Sequence, residues 1–251
     1  MDITTVLGVL SMASIIVLGI ATGELPAVLL NGHGLLIVIS GTAAAMLINT
    51  PLAYFRDGFA ALWEILRGEP YSAPQETITS IVALSENFQA RGISALADAD
   101  PTAMGGYVAR AAQLAREYNN PDIVEQVLDN EIKVRFDHQA EVANMFRTMG
   151  VLAPMFGLVG TLIGIISVLK NISNPEDVGA SMATAVTSAL YGIVIANLFC
   201  VPVAGKLRAR SWDEIKAKSM VADGIVMIMR GKVPLQIERK LRTYQTGPLG
   251  G

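Results

Sequence analysis

The stretch Gly157 to Leu169 reads GLVGTLIGIISVL and contains three glycines, a threonine at its centre and no charged residue. Gly157, Gly160, Thr161 and Gly164 fall at i, i+3, i+4 and i+7, so all four share one face of a helix. A stripe of small residues on an apolar helix is a packing face for a membrane span, because glycines let another backbone come close. The hydroxyl at its centre raises a second reading, in which Thr161 faces a moving group.

The charge pattern outside this stretch sets the fold. Only 16% of the 251 residues are charged and 52% are hydrophobic, against roughly 25% charged in soluble domains. No Asp, Glu, Lys or Arg occurs from Leu25 to Phe55, from Thr148 to Leu169, or from Val178 to Gly205. Together with the apolar N-terminus, these windows hold segments 3–21, 34–53, 149–169 and 179–204. Each reaches the roughly 20 residues that a helix needs to cross a bilayer. The expected fold is an all-α integral membrane protein with four transmembrane helices and a helical cytoplasmic domain between spans 2 and 3. Its expected divisions are 1–55 (first hairpin), 56–147 (cytoplasmic domain), 148–205 (second hairpin) and 206–251 (cytoplasmic tail). MDITT carries an acid and no basic residue, so the first segment is expected to be a retained span rather than a signal peptide.

Basic residues orient these spans. Of 19 Lys and Arg, eight lie between Arg56 and Arg147, ten between Lys206 and Arg242, and only Lys170 lies elsewhere. By the positive-inside rule the central domain, the tail and both termini are cytoplasmic, and the links 22–33 and 170–178 face outward. In the second link, SNPED predicts a helix start, with Asn174 as cap, Pro175 at the first position and two acids at the positive end of the dipole. Pro154 and Pro202 each remove a backbone donor and are expected to kink spans three and four. Leu128, Ile132 and Phe136 repeat every four residues after a helix start at Pro121, and VPLQIERKL predicts a short amphipathic helix in the tail.

Span four carries Thr184, Thr187, Ser188 and Tyr191 at i, i+3, i+4 and i+7, with Ser181 one turn earlier. Hydroxyls in a span commonly bond the carbonyl one turn back or join helices. A stripe of five facing a glycine stripe favours an ion path. A hydroxyl cannot carry a proton across a membrane at neutral pH, and carriers in low dielectric are typically Asp, Glu or His. The spans contain none. Either the chain does not conduct, or another chain brings the carboxylate. With one cysteine, and two histidines far apart outside the spans, neither a disulfide nor a metal site is expected. No phosphate-binding loop or nucleic-acid signature is present, and no enzyme activity or cofactor is expected.

Residues Phe146 to Leu207, FRTMGVLAPMFGLVGTLIGIISVLKNISNPEDVGASMATAVTSALYGIVIANLFCVPVAGKL, closely resemble the third and fourth spans of the MotA/PomA stator subunits of the bacterial flagellar motor. MDITTVLGVL with LLIVISGTAAAML resembles that family's first hairpin, and DGIVMIMRGKVPLQIERKL its tail. The resemblance covers nearly the whole chain. It implies a pentameric ring in the bacterial inner membrane around two copies of a single-span MotB/PomB-like partner, whose membrane aspartate binds the ion. Ion flow would turn the ring, and the cytoplasmic domain would push the flagellar rotor switch protein. Carried over by residue, Thr161 and Ser188 line the ion path with Thr184, Thr187 and Tyr191 beside them. Gly157, Gly160 and Gly164 form a small stripe facing the partner, Pro154 and Pro202 are the conformational prolines, and Arg91 with Asp98 contacts the rotor.

Two positions depart from the family pattern. Ala97 stands where the family commonly has Glu, with Asp98 next to it. Ala189 follows Ser188 where sodium-type members have adjacent threonines, which favours protons as the transported ion, with Na+ as the alternative. A stator of this architecture driving a non-flagellar machine, and a non-conducting membrane scaffold, are the rival readings.

Overall fold

The computed structural model describes residues 31–67 and 74–245, together with Leu7, Gly8, Leu10, Ser11, Ser14, Leu18 and Thr22. The expected span 3–21 and Glu24 of the first link fall largely outside these described residues. All regular structure among them is helical. Among the described residues, three helices are long and apolar enough to cross a membrane: Gly32–Asn49, Pro121–Lys170 and the continuous Pro175–Met229.

The chain divides into two compact units, each built from two stretches of sequence. The first comprises Met1–Gly68 and Ala140–Arg208. Helix α1 (Gly32–Asn49) starts where the Asn31 side chain accepts hydrogen bonds from the His33 and Gly34 amides, both at 3.0 Å. It stops at Thr50, the residue before Pro51, so this span ends earlier than the apolar pattern to residue 53 implies. Helix α2 (Leu52–Arg67) follows at once. Its Tyr54 and Phe55 pack on a cluster formed by Met46, Met145 and Phe146. Gly58 seats the Met145 side chain directly on the α2 backbone.

The second unit comprises Glu69–Gln139 and Ala209–Gly251. Helix α3 (Pro74–Arg91) ends at Gly92, whose φ of +64° suits glycine, and a 3-10 turn (Gly92–Asp98) follows. A second short 3-10 turn leads into α4 (Tyr107–Tyr118). The core joins Ile81, Leu96, Val108, Leu128, Ile225 and Leu241. Leu128 and Ile132 are buried, as their spacing requires, while Phe136 stacks at a tilt on Trp212 with centroids 5.3 Å apart.

Helix α5 runs unbroken from Pro121 to Lys170, 50 residues, and spans three and four are therefore parts of much longer helices. Its start is capped by Asn120, whose side chain accepts from the Asp122 and Ile123 amides. The helix continues through Pro154 without a break. Helix α6 (Pro175–Val194) has Asn174 at its cap, but the Asn174 amide donates to the Asp177 carboxylate at 2.7 Å instead of accepting a backbone N–H. At Pro202 the accommodation is explicit: a π-helical turn, Ile195–Cys200, precedes α7 (Val201–Met229). The wider turn absorbs the clash a proline makes with the carbonyl four residues back. Gly231, at φ +72°, then reverses the chain into α8 (Pro234–Arg242).

Candidate functional site

Four glycines bring α1, α5 and α6 into backbone contact around the hydroxyls. A Cβ on Gly157 would lie 2.9 Å from the Ser188 carbonyl oxygen, and one on Gly160 would lie 2.5 Å from Ser188 Oγ. One on Gly164 would meet the Ala185 amide at 2.8 Å, and one on Gly34 would meet Ser188 Oγ and Thr187 Oγ1, both at 2.9 Å. The stripe Gly157, Gly160 and Gly164 is thus buried within the chain, closing α5 onto α6. Within the chain this smooth glycine face is taken up by α6, as expected of a packing face where glycines let another backbone come close.

The same closure divides the hydroxyls into two groups. Thr187 and Ser188 are 1% and 0% exposed, covered by Gly34 and Gly160. Thr161, Thr184 and Tyr191 remain half-buried. Ser188 Oγ donates to the Thr184 carbonyl and Thr187 Oγ1 to the Ala183 carbonyl, each at 2.7 Å. Thr184 Oγ1 donates to the Ala180 carbonyl at 3.1 Å. Thr161 Oγ1 sits 3.1 Å from both the Gly157 carbonyl of its own helix and the Ala185 carbonyl of α6, tying the pair together at one depth.

These bonds have a chemical consequence. A hydroxyl has one proton to give and two lone pairs to offer. With each proton spent on a backbone carbonyl, Thr161 and Ser188 present acceptor oxygen only. Such oxygens stabilise a cation or the O–H of a protonated acid, and they offer nothing to an anion.

Asn31 is the residue that pattern reading passed over. Its side-chain amide donates to Thr184 Oγ1 at 3.0 Å, and its backbone N–H donates to the Tyr191 hydroxyl at 3.0 Å. The same side chain caps α1 with its oxygen. One asparagine therefore fixes the start of α1 to two turns of α6. Asn followed by Gly-His-Gly ahead of an apolar run was the available signal. Gly192 was likewise missed: a Cβ there would lie 2.6 Å from the Ala153 carbonyl oxygen and 2.9 Å from Pro154 Cα. Pro154 thereby sits on the one α6 residue without a side chain at that level.

In the second unit, Arg91 at the end of α3 and Asp98 at the end of the 3-10 turn are bonded to each other, and both remain about half exposed. In the same unit, Glu214 of α7 is 5% exposed and held by Lys218 at 2.8 Å, by Arg135 of α5 at 3.3 Å and by the Gln139 amide. Burial would raise its carboxyl pKa, but the hydrogen bonds from Lys218 and Gln139 and the two nearby cations outweigh burial and bring it to about 2.

Residues 99–220 match the MotA/TolQ/ExbB proton channel family. The Motility protein A of Cereibacter sphaeroides is 31% identical over 245 residues, covering 96% of this chain and 94% of the relative. The chain belongs to this family. Among other members, the chemotaxis protein PomA of Vibrio alginolyticus is 25% identical, covering 97% of this chain and 95% of its own length. The solved structure of the flagellar MotAB stator complex from Bacillus subtilis superposes with a TM-score of 0.88 at 22% identity, covering 98% of this chain and 96% of that one. That of C. jejuni MotAB gives 0.87 at 24% identity, covering 100% and 98%. This member of the MotA/TolQ/ExbB family is a membrane protein with the MotA-type helical fold.

For this family member, Asn31→Ala is expected to lower thermal stability by about 1 kcal/mol for the lost cap. It should also release the side-chain hydrogen bond on Thr184, whereas the bond to Tyr191 comes from the backbone N–H and needs no side chain. Asn31→Ser keeps a capping oxygen without the amide donor, so it should restore stability but not the Thr184 contact. Melting curves of the purified protein, with proton flux beside them, check both.

Proposed function

We propose that this chain is the ring-forming subunit of an ion-driven stator unit. With a single-span MotB/PomB-like partner it couples inward proton flow to rotation, and it applies torque to the flagellar rotor switch protein. Five copies surround two partner chains in the bacterial inner membrane, with both termini cytoplasmic and residues 56–147 and 206–251 on the rotor side. The observation that carries this reading is a row of hydroxyls whose protons are committed to backbone carbonyls, in spans that contain no Asp, Glu, His, Lys or Arg of their own.

The energetics suit such a coupling. A charged Asp at the bilayer centre costs about 2.5–3.5 kcal/mol on insertion scales, and one charge crossing ~100 mV releases about 2.3 kcal/mol. Oxygen acceptors on Thr161, with Ser188 behind it, hold the proton of a neutral acid. When the proton leaves, the carboxylate loses that contact and must move. Ala189 supplies no oxygen, which favours a proton over Na+, since a hard cation wants several oxygen ligands.

The test is Thr161→Ala and Ser188→Ala in a host lacking its own subunit, scored by swimming and by proton flux. The expected result is a drop of about ten-fold or more in flux for Thr161→Ala, and a smaller drop for the covered Ser188, with the protein still assembled. Undiminished swimming and flux in both variants would make the hydroxyls packing groups only. A second reading, a stator for a non-flagellar machine, is supported by Ala97 and by the mutual engagement of Arg91 and Asp98. Exchanging residues 91–98 for those of a flagellar stator separates the two.

A further inference from the structure

Only Thr50 and Pro51 separate the end of span α1 from the start of helix α2. One face of α2 is used inside the chain. Tyr54 and Phe55 pack on the cluster of Met46, Met145 and Phe146, Gly58 seats Met145, and Ile65 is buried. These contacts fix the level of the helix. Met145 lies two residues before Arg147, the last charge ahead of the uncharged window of span three, so α2 sits where apolar sequence meets charged sequence.

The opposite face combines two chemistries. Leu52, Arg56, Phe59 and Trp63 follow at i, i+4, i+7 and i+11 and form one stripe. Leu52, Phe59 and Trp63 are 75%, 69% and 57% exposed, and the Arg56 side chain 89%. Three large apolar side chains turned outward around one cation mark an interaction surface rather than a solvated face. Asp57 stands about 100° round the helix from Arg56. Its carboxylate lies 3.6 Å from Arg56 Nε, longer than a hydrogen bond. The stripe itself is therefore apolar and positive.

We propose that this stripe is a binding site for an anionic phospholipid at the membrane border. Phe59 and Trp63 enter the boundary between headgroups and acyl chains, and the Arg56 guanidinium pairs with the headgroup phosphate. Continuity with α1 argues for lipid, because a face turned outward beside the end of a span meets the bilayer edge. Aromatic rings with a polar tip favour that depth. An arginine there lays its methylenes along apolar surface while its planar fork reaches phosphate. Amphipathic helices with Trp, Phe and Leu on one face bind such borders, and basic residues direct them to anionic lipid. A protein partner would instead need an apolar hollow with an acid at its centre.

The experiment uses the full chain reconstituted into lipid nanodiscs, where its two tryptophans are Trp63 and Trp212. Phospholipids brominated high on the acyl chain quench an indole they touch. In a phosphatidylcholine background, brominated phosphatidylglycerol is expected to half-quench Trp63 at about five-fold lower mole fraction than brominated phosphatidylcholine, the preference one basic residue gives near an anionic surface. Trp63→Phe should remove the quenched component. Arg56→Gln should abolish the five-fold preference while leaving the circular dichroism and melting temperature unchanged, and Arg56→Lys should keep most of it. Equal quenching of the wild type by the two lipids overturns the proposal, as does a preference that survives in Arg56→Gln. Displacement of brominated phosphatidylglycerol by millimolar inorganic phosphate overturns lipid as the occupant. So does a photo-crosslinking residue at position 59 that joins to a second copy of the chain and not to lipid.

Discussion

Replacing Gly192 by valine is expected to destroy the packing of α6 on α5 and to empty the membrane of folded protein. The reason is the identity of the atoms in the way. A Cβ at this position would lie 2.6 Å from the Ala153 carbonyl oxygen, 2.9 Å from Pro154 Cα and 3.2 Å from the Ala153 carbonyl carbon. All three are backbone, so no rotamer change relieves the contact, and the two helices must separate or bend. Overpacking by a single group commonly costs about 1–3 kcal/mol. Valine, whose branch adds to an already impossible Cβ, should exceed that range, out of a typical total stability of about 5–15 kcal/mol. Gly205→Val supplies the control, because nothing lies within 4 Å of a Cβ there. Thermal melting in detergent and membrane abundance measure the difference. Equal stability of the two variants would show that the α5–α6 approach is not as close as described.

The second large effect is expected at Glu214. Replacing it by alanine leaves Lys218 and Arg135 facing one another without the acid that joins them, and it removes the acceptor for the Gln139 amide. Breaking a buried pair by deleting one partner costs about 3–5 kcal/mol. The carboxyl's descent from 4.5 to about 2 on folding corresponds to about 3 kcal/mol, in agreement. Because the folded-state pKa is the lower one, this contribution is complete above about pH 4.5 and disappears as the pH falls towards 2. Denaturant titrations of the purified protein between pH 6 and pH 2 should therefore show the wild type losing stability over that window. Glu214→Ala should begin lower and lack that part of the slope. A variant with wild-type stability at neutral pH would overturn the account.

Much of the architecture was legible because charge and apolarity are segregated along the chain. The uncharged windows containing 149–169 and 179–204 fall inside helices, as does the amphipathic tail segment at Ile237 and Leu241. The co-facial spacing of Thr184, Thr187, Ser188 and Tyr191 was legible for the same reason, since helical periodicity is a local property. Which way a face points is not local. The glycine stripe at 157, 160 and 164 has the same periodicity whether it meets another chain or α6, and only the three-dimensional partner decides. Asn31 reads as a loop residue because its targets, Thr184 and Tyr191, are more than 150 positions away. The π-helical turn before Pro202 follows from a proline that the helix must bypass, and sequence gives the obstacle without the form of the detour. Glu214 and Arg135 sit 79 residues apart, so their mutual engagement has no signature along the chain.

The mutual bond of Arg91 and Asp98 bears on how a partner is met at a distance. Two opposite charges locked together cancel in the far field and leave only a dipole, whose pull fades faster than that of a lone ion. Screening by salt, already effective beyond about 8 Å at physiological ionic strength, has little left to remove from such a field. This pair should consequently add little to the ionic-strength dependence of any association at this surface. An unpaired arginine at the same position would act as a long-range electrostatic lure.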